Sequence, residues 1–136
     1  MYTTEVIYQG ELRTKATHLQ SGNFFITDAP TDNNGRGEYF SPTDLVAAAL
    51  GSCMLTIMGI EANKLGIDIT GTSAKVTKKM GINPRRIVAL DVEINITNPK
   101  IIENNKMLLE NAARNCPVAK SINPNIEQNI NFKYVN

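Results

Sequence analysis

Residues that carry redox, metal or acid–base chemistry are scarce in this 136-residue chain, which has two cysteines, one histidine and no tryptophan. A structural zinc site draws four clustered ligands from Cys and His, and neither a C-x-x-C spacing nor a second histidine is present. His18 falls in a strand-like stretch near a turn and reads as an exposed or hydrogen-bonded side chain. Basic runs stop at two residues (Lys78-Lys79 and Arg85-Arg86) and the net charge is +1, which argues against a nucleic-acid platform. Gly35-Arg36-Gly37 lacks the strand and helix context of a phosphate-binding loop. The longest apolar run, Leu45 to Ile60, is interrupted only by Ser52 and Thr56 and covers 16 residues, short of the roughly 20 that span a bilayer. The first residues alternate in polarity, so no signal peptide is expected. These absences predict a cytoplasmic protein of one domain, residues 1–136, with no metal, no cofactor, no nucleic-acid partner and no membrane partner.

The patterning that is present predicts an α+β fold. Residues 2–9, 11–19 and 22–28 have strand-like composition, with turn signals at Gly10 and Ser21-Gly22. Residues 29–40 are rich in turn formers and read as a surface loop. A helix over about 42–65 then starts with Ser41 as N-cap, Pro42 at N1 and Asp44 completing a capping box, and stops near Lys64 and Gly66. Its surface is apolar nearly all the way round, so a sheet alone cannot cover it; a partner subunit is the expected remedy. IDITGTSAKVTKK is strand-like, with a turn at Gly81-Ile82-Asn83-Pro84. Residues 87–97 alternate as a half-buried strand, with Val88, Leu90, Val92, Ile94 and Ile96 on one face. Asn98-Pro99 predicts a second helix reaching Asn115, its inner face carrying Ile101, Leu108, Ala112 and the neighbouring Leu109. Pro117 opens a short helix ending near Ile122, and Ile130, Phe132 and Tyr134 mark a closing strand. The predicted order is βββ-α-ββ-αα-β.

Both cysteines lie at helix signals. The ordinary role of a free cysteine is buried packing. Cys116 precedes Pro117 and so reads as an N-cap, where a helix terminus favours thiolate. Cys53 lies about three turns into the first helix and needs a positive partner to be reactive; Arg36, Arg13 and Arg114 are the arginines that could supply one.

The stretch SPTDLVAAALGSC, followed by NCPVAKSINPNIE, resembles the OsmC/Ohr family of osmotically inducible and organic-hydroperoxide-resistance proteins. The spacing from Pro42 to Cys53, the C-P-V-x-K pattern at Cys116 and the element order all match that family. The resemblance implies an intertwined homodimer with long central helices packed together. It also implies a thiol peroxidase acting on small, preferably organic, hydroperoxides. Cys53 then attacks the peroxide and becomes a sulfenic acid, Cys116 condenses with it to a disulfide, and an external dithiol reduces that disulfide. The family thus assigns the attack to Cys53, although the helix-terminus argument favours Cys116 as the more acidic thiol. Family peroxidases hold an arginine beside the attacking sulfur with a glutamate directly after the helix-starting proline. Here that position is Thr43, followed by Asp44; Asp44 is the candidate for the acid, and Arg36, with Arg13 as the alternative, for the arginine. Met54 stands where several family peroxidases carry an aromatic. Phe40, Met54 and Met58 are the expected lining of an apolar pocket at the thiol. These departures place the chain nearer an OsmC-like branch than Ohr proper. A non-catalytic dimer that binds a small apolar or thiol-reactive ligand is the competing expectation.

Overall fold

The computed structural model describes residues 1–135 and contains two three-stranded sheets and three α-helices. The chain divides into two compact units, residues 1–46 and 47–136.

In the first unit β1 (Thr4–Gly10), β2 (Arg13–His18) and β3 (Phe24–Asp28) form an antiparallel meander. Gly10 pairs with Arg13 across a two-residue turn in which Glu11 and Leu12 both take positive φ, 52° and 63°. That conformation matches the right-handed twist of the flanking strands, and it places Arg13 at the first position of β2. Residues 29–40 are a connection, as predicted, with one 3-10 turn at Thr31–Asn33. The loop folds tightly on itself: the Gly35 amide donates to the Pro30 carbonyl and the Gly37 amide to the Ala29 carbonyl. A Cβ at Gly35 would overlap the Ala29 carbonyl, so the loop requires glycine there.

Helix α1 spans Pro42–Leu65, within a residue of its predicted limits. From Ala47 onward it belongs to the second unit, with β4 (Ser73–Gly81), β5 (Arg86–Ile96), α2 (Glu103–Arg114), α3 (Pro117–Ser121) and β6 (Glu127–Tyr134). The sheet order is β4-β5-β6: β4 and β5 form an antiparallel pair, while β6 runs parallel to β5 from Ala89↔Glu127 to Ile96↔Tyr134. A parallel pair needs a crossover, and α2 with α3 supplies it. Leu90, Val92, Ile94 and Ile96 form the buried row of β5, with Leu50, Met54 and Met58 of α1 and Leu109 of α2 wholly buried. Residues 73–80 of β4 and 90–96 of β5 alternate inward and outward as the period of two requires, and the alternation lapses where the two strands meet beyond the register shift at Lys79/Met80.

Two expectations need correction. Asn98-Pro99 does not start α2, which begins at Glu103 after an Ile102 N-cap with no side-chain capping bond. Asn98 instead accepts the Lys100 amide at 3.2 Å, closing a turn of its own, because a short polar side chain offers the backbone an alternative to a helix. The inner face expected for α2 holds at Leu109 but not at Leu108 and Ala112. Leu109 and Ala113 are buried and Leu108 is 40% exposed; one residue of phase is about 100° around a helix.

By length and composition α1 is apolar enough to cross a membrane, the one such helix among the described residues, and a third of that apolar window is buried. The core helix of a globular protein has the same length and hydropathy. Ala48, Ala49, Ser52, Thr56 and Ile60 make its exposed stripe.

Candidate functional site

The position of Cys53 follows from how α1 begins and how it packs. Asp44 accepts the Ser41 amide at 2.9 Å while Ser41 Oγ accepts the Asp44 amide at 3.1 Å, the reciprocal capping box expected from sequence. Further along, a Cβ on Gly51 would stand 3.1 Å from Val76 Cγ2 and 3.5 Å from Ala74 Cβ, so α1 crosses β4 at close range there. Two residues on, Cys53 lies at the margin of the buried stripe carried by Leu50, Met54 and Met58, and is half-buried.

Cys116 arrives from the other side of the crossover. It sits between α2 and α3 as the N-cap of α3, with Pro117 at N1. Its amide donates to the Ala113 carbonyl at 3.3 Å, and its Sγ accepts the Ala119 amide at 3.5 Å. The residue is fully buried, at 0% exposure. The two cysteines approach within 3.6 Å. Both are free thiols, in van der Waals contact and short of a bond, which would need about 2.05 Å.

Burial pushes the Cys116 thiol up from its ordinary value, against the lowering effect of the Ala119 amide; the neighbouring Cys53 sulfur adds to the rise. The expectation of an acidified Cys116 at a helix start is therefore overturned. The cap geometry is as expected, but α3 has only five residues and desolvation outweighs the lowering effect of the Ala119 and Val118 amides.

Each candidate arginine has partners within its own unit. Arg13 forms a two-pronged pair with Asp28, Nε to Oδ1 at 2.7 Å and Nη2 to Oδ2 at 2.8 Å, and Nη2 also reaches Glu38 at 3.1 Å. Its guanidinium carbon lies 4.9 Å from the Tyr39 ring centroid. The Asp28 side chain is 1% exposed and that of Arg13 20%. The pair with Arg13 holds the Asp28 carboxyl below its usual range and, in return, raises the Arg13 pKa. Arg36, at 45% exposure, pairs with Glu11 at 2.8 Å in the same unit. Arg114 lies over the Phe132 ring, 5.1 Å from its centroid.

Met54 and Met58 are wholly buried, so they are core rather than the lining of an open pocket, and Phe40 is exposed. His18 Nδ1 lies 2.6 Å from Ser21 Oγ in an exposed turn, the ordinary reading of that residue. Among the described residues no group of three or more His, Cys, Asp or Glu side chains could hold a metal ion.

Sequence reasoning missed two polar side chains. Asp28 ends a strand and gave no signal beyond being an acid beside a loop. Gln128 did give one: it shares the inner row of β6 with Ile130, Phe132 and Tyr134, and its side-chain amide donates to the Ala119 carbonyl of α3 at 3.0 Å.

The family model for OsmC-like proteins matches residues 35–131, well over half of the chain. A structure from Psychrobacter arcticus 273-4, described as an osmotic stress induced and detoxification response protein, shares 52% identity at a TM-score of 0.93, covering 97% of this chain and 96% of that one. An OsmC-like protein from Mycoplasma pneumoniae superposes with a TM-score of 0.84 at 17% identity over 100% and 98% of the two chains. An organic hydroperoxide resistance protein from Legionella pneumophila does so at 0.76 and 19% identity, over 98% of each; these two distant likenesses are of fold. Among curated proteins none matches the sequence. With its helix-start motif, its two cysteines and its crossover in place, the chain belongs to the OsmC family.

Proposed function

We propose that the protein is a thiol peroxidase that reduces small, preferably organic, hydroperoxides. The observation that carries this reading is the 3.6 Å approach of Cys53 and Cys116. The Cys53 thiolate attacks the distal peroxide oxygen, the O–O bond breaks, and the alkoxide leaves as alcohol on taking up a proton. Cys53 is then a sulfenic acid. The Cys116 thiolate attacks that sulfur and expels hydroxide, which takes up a proton to leave as water, so the disulfide forms before the sulfur can be oxidised further. An external dithiol returns both thiols, becoming a disulfide itself. Half-buried Cys53 is the more accessible of the two, which suits it to meet the substrate; buried Cys116 meets only its neighbour.

Arg36, with Arg13 as the alternative, stays the candidate arginine of this proposal; the two differ in setting, Arg13 being fixed by two prongs on a buried aspartate and Arg36 lying exposed on an exposed carboxylate. Asp44 acts in this reading mainly through the capping box that starts α1. A second copy of the chain covers the exposed stripe of α1, so the working form is a homodimer.

One equivalent of cumene hydroperoxide should convert the protein to an intramolecular Cys53–Cys116 disulfide, read as the loss of two hydrogens by intact mass. Wild-type protein that keeps both thiols after treatment sinks the peroxidase reading. It would favour the alternative suggested by Thr43 in place of the family glutamate, a dimer that binds a small apolar or thiol-reactive ligand.

A further inference from the structure

We propose that Gln128 is a positioning residue for the disulfide-forming step, holding Cys116 against Cys53 through the backbone of α3. The inference rests on the peroxidase reading for its chemistry, and on the geometry around α3 for its physics.

A five-residue helix cannot hold itself. Nucleating a helical turn is unfavourable in water, and isolated helices below about 12 residues are marginal even in good sequences. Almost every carbonyl of α3 belongs to its last turn and needs a partner from outside the helical ladder. The Cys116 carbonyl accepts the Lys120 amide at 3.1 Å, the Val118 carbonyl accepts the Ile122 amide at 3.2 Å, and the Pro117 carbonyl accepts Ser121 Oγ at 2.7 Å. These bonds are local and move with the helix. The bond from Gln128 is different, because it ties the Ala119 carbonyl to β6, a strand fixed along its length to β5.

Ala119 is also the residue whose amide donates to Cys116 Sγ. One residue therefore carries both connections: its carbonyl is held by the sheet, and its N–H holds the sulfur. The polar side chain in the inner row of β6, next to apolar Ile130 and Phe132, thus has a specific task. A leucine would suit the row as well for burial alone, but would leave the buried Ala119 carbonyl without a donor. The remaining local bonds do not fix α3 relative to the sheet, so the Cys116 sulfur loses its registration with Cys53. Disulfide formation is sensitive to that registration, since the sulfurs must pass from 3.6 Å to bonding distance along a defined path.

The test separates the two chemical steps. In Gln128→Leu, hydroperoxide should convert Cys53 to sulfenic acid at the wild-type rate, read by trapping with dimedone. Closure of the disulfide, read by intact mass after rapid quenching, should slow by roughly tenfold or more. Gln128→Glu keeps the shape but at neutral pH replaces the donor with an acceptor, so it should show the same selective loss and serves if the leucine variant folds poorly. Gln128→Lys, which restores a donor of similar reach, should recover most of the closure rate. Equal slowing of both steps, or no slowing of either, overturns the proposal. Equilibration against a glutathione redox buffer gives a readout that does not involve peroxide: the Cys53–Cys116 disulfide should be less favoured in Gln128→Leu than in wild type. If wild type closes no disulfide with hydroperoxide yet the glutathione difference appears, the peroxidase reading falls and the positioning role stands. If that difference is absent, the positioning role falls.

Discussion

The sulfur pair and the arginine cluster are built by opposite means. Cys53 and Cys116 are held by packing: a helix crossing a strand at a glycine, a crossover that returns to the sheet, and apolar side chains at 0% exposure on α1, α2 and β5. Arg13 is held by charge, with a buried aspartate in a fork–fork pair, a second carboxylate on Nη2 and an aromatic ring over its plane. In the first case burial raises the pKa of Cys116, so the dry setting opposes its ionisation. In the second the partner lowers the acid and raises the base, so the setting depends on ionisation.

The largest effects fall on the sulfurs themselves. Cys53→Ser should abolish hydroperoxide consumption, measured by peroxide assay with excess dithiol. Cys116→Ser should still consume one equivalent and leave a sulfenic acid that dimedone captures. If Cys116→Ser instead protected the protein from oxidation altogether, the order of roles would be reversed. Packing should show next. Met54→Ala, next in sequence to Cys53 and wholly buried, should cost about 2–5 kcal/mol in urea unfolding through the cavity it leaves.

The charge cluster is broken by acid. A carboxyl whose native pKa is lowered stabilises the fold fully above its ordinary value, and that stability is lost as pH falls through the lower native value. Asp28 is such a group, so unfolding by urea should become easier below about pH 4, and Asp28→Asn should be less stable at neutral pH and flatter across that range. Wild type and variant with parallel acid limbs would remove Asp28 from that role. Cys116 carries the opposite sign. Its raised pKa keeps the neutral thiol above the free-thiol value of about 8.5, so native stability from this group is lost as pH rises from there through the native value. Disulfide closure, which tracks the thiolate fraction, should keep accelerating past pH 8.5 in stopped-flow measurements. A plateau already below that pH would show an acidified thiol.

Much of the packed half was legible beforehand, because packing leaves periodic marks. Ser41-Pro42 and Asp44 announced α1, Pro117 announced α3, and the alternation from Val88 to Ile96 announced β5. The phase of α2 was not legible: Leu108 and Leu109 both fit a helical stripe, and only tertiary packing selects Leu109. Nor was its start, since Asn98 carries the same residue signal for a cap and for the turn it closes. The charge cluster was illegible for a different reason. A pair such as Arg13–Asp28 joins residues on separate strands, and no local spacing encodes it; it needs the β2–β3 register, Arg13↔Asp28, to be visible at all. Gln128 falls between these cases, visible as a polar residue in an apolar row but with a partner only the fold supplies.

The smallest stability effect, and the finest test of the contrast, concerns Arg36. Its pair with Glu11 joins a 45%-exposed side chain to an 81%-exposed one, and exposed ion pairs contribute about 0–1 kcal/mol. Arg36→Gln should therefore leave urea unfolding almost unchanged. If charge support for the thiol comes from the preorganised guanidinium, Arg36→Gln should also leave kcat/KM for cumene hydroperoxide within about threefold of wild type, while Arg13→Lys should lower it further even at matched stability, since a lysine cannot keep a two-pronged grip on Asp28. The reverse pattern, with activity lost in Arg36→Gln and kept in Arg13→Lys, would move the supporting charge to the loop arginine. It would also show that mobility, rather than preorganisation, is what the thiol requires of its cation.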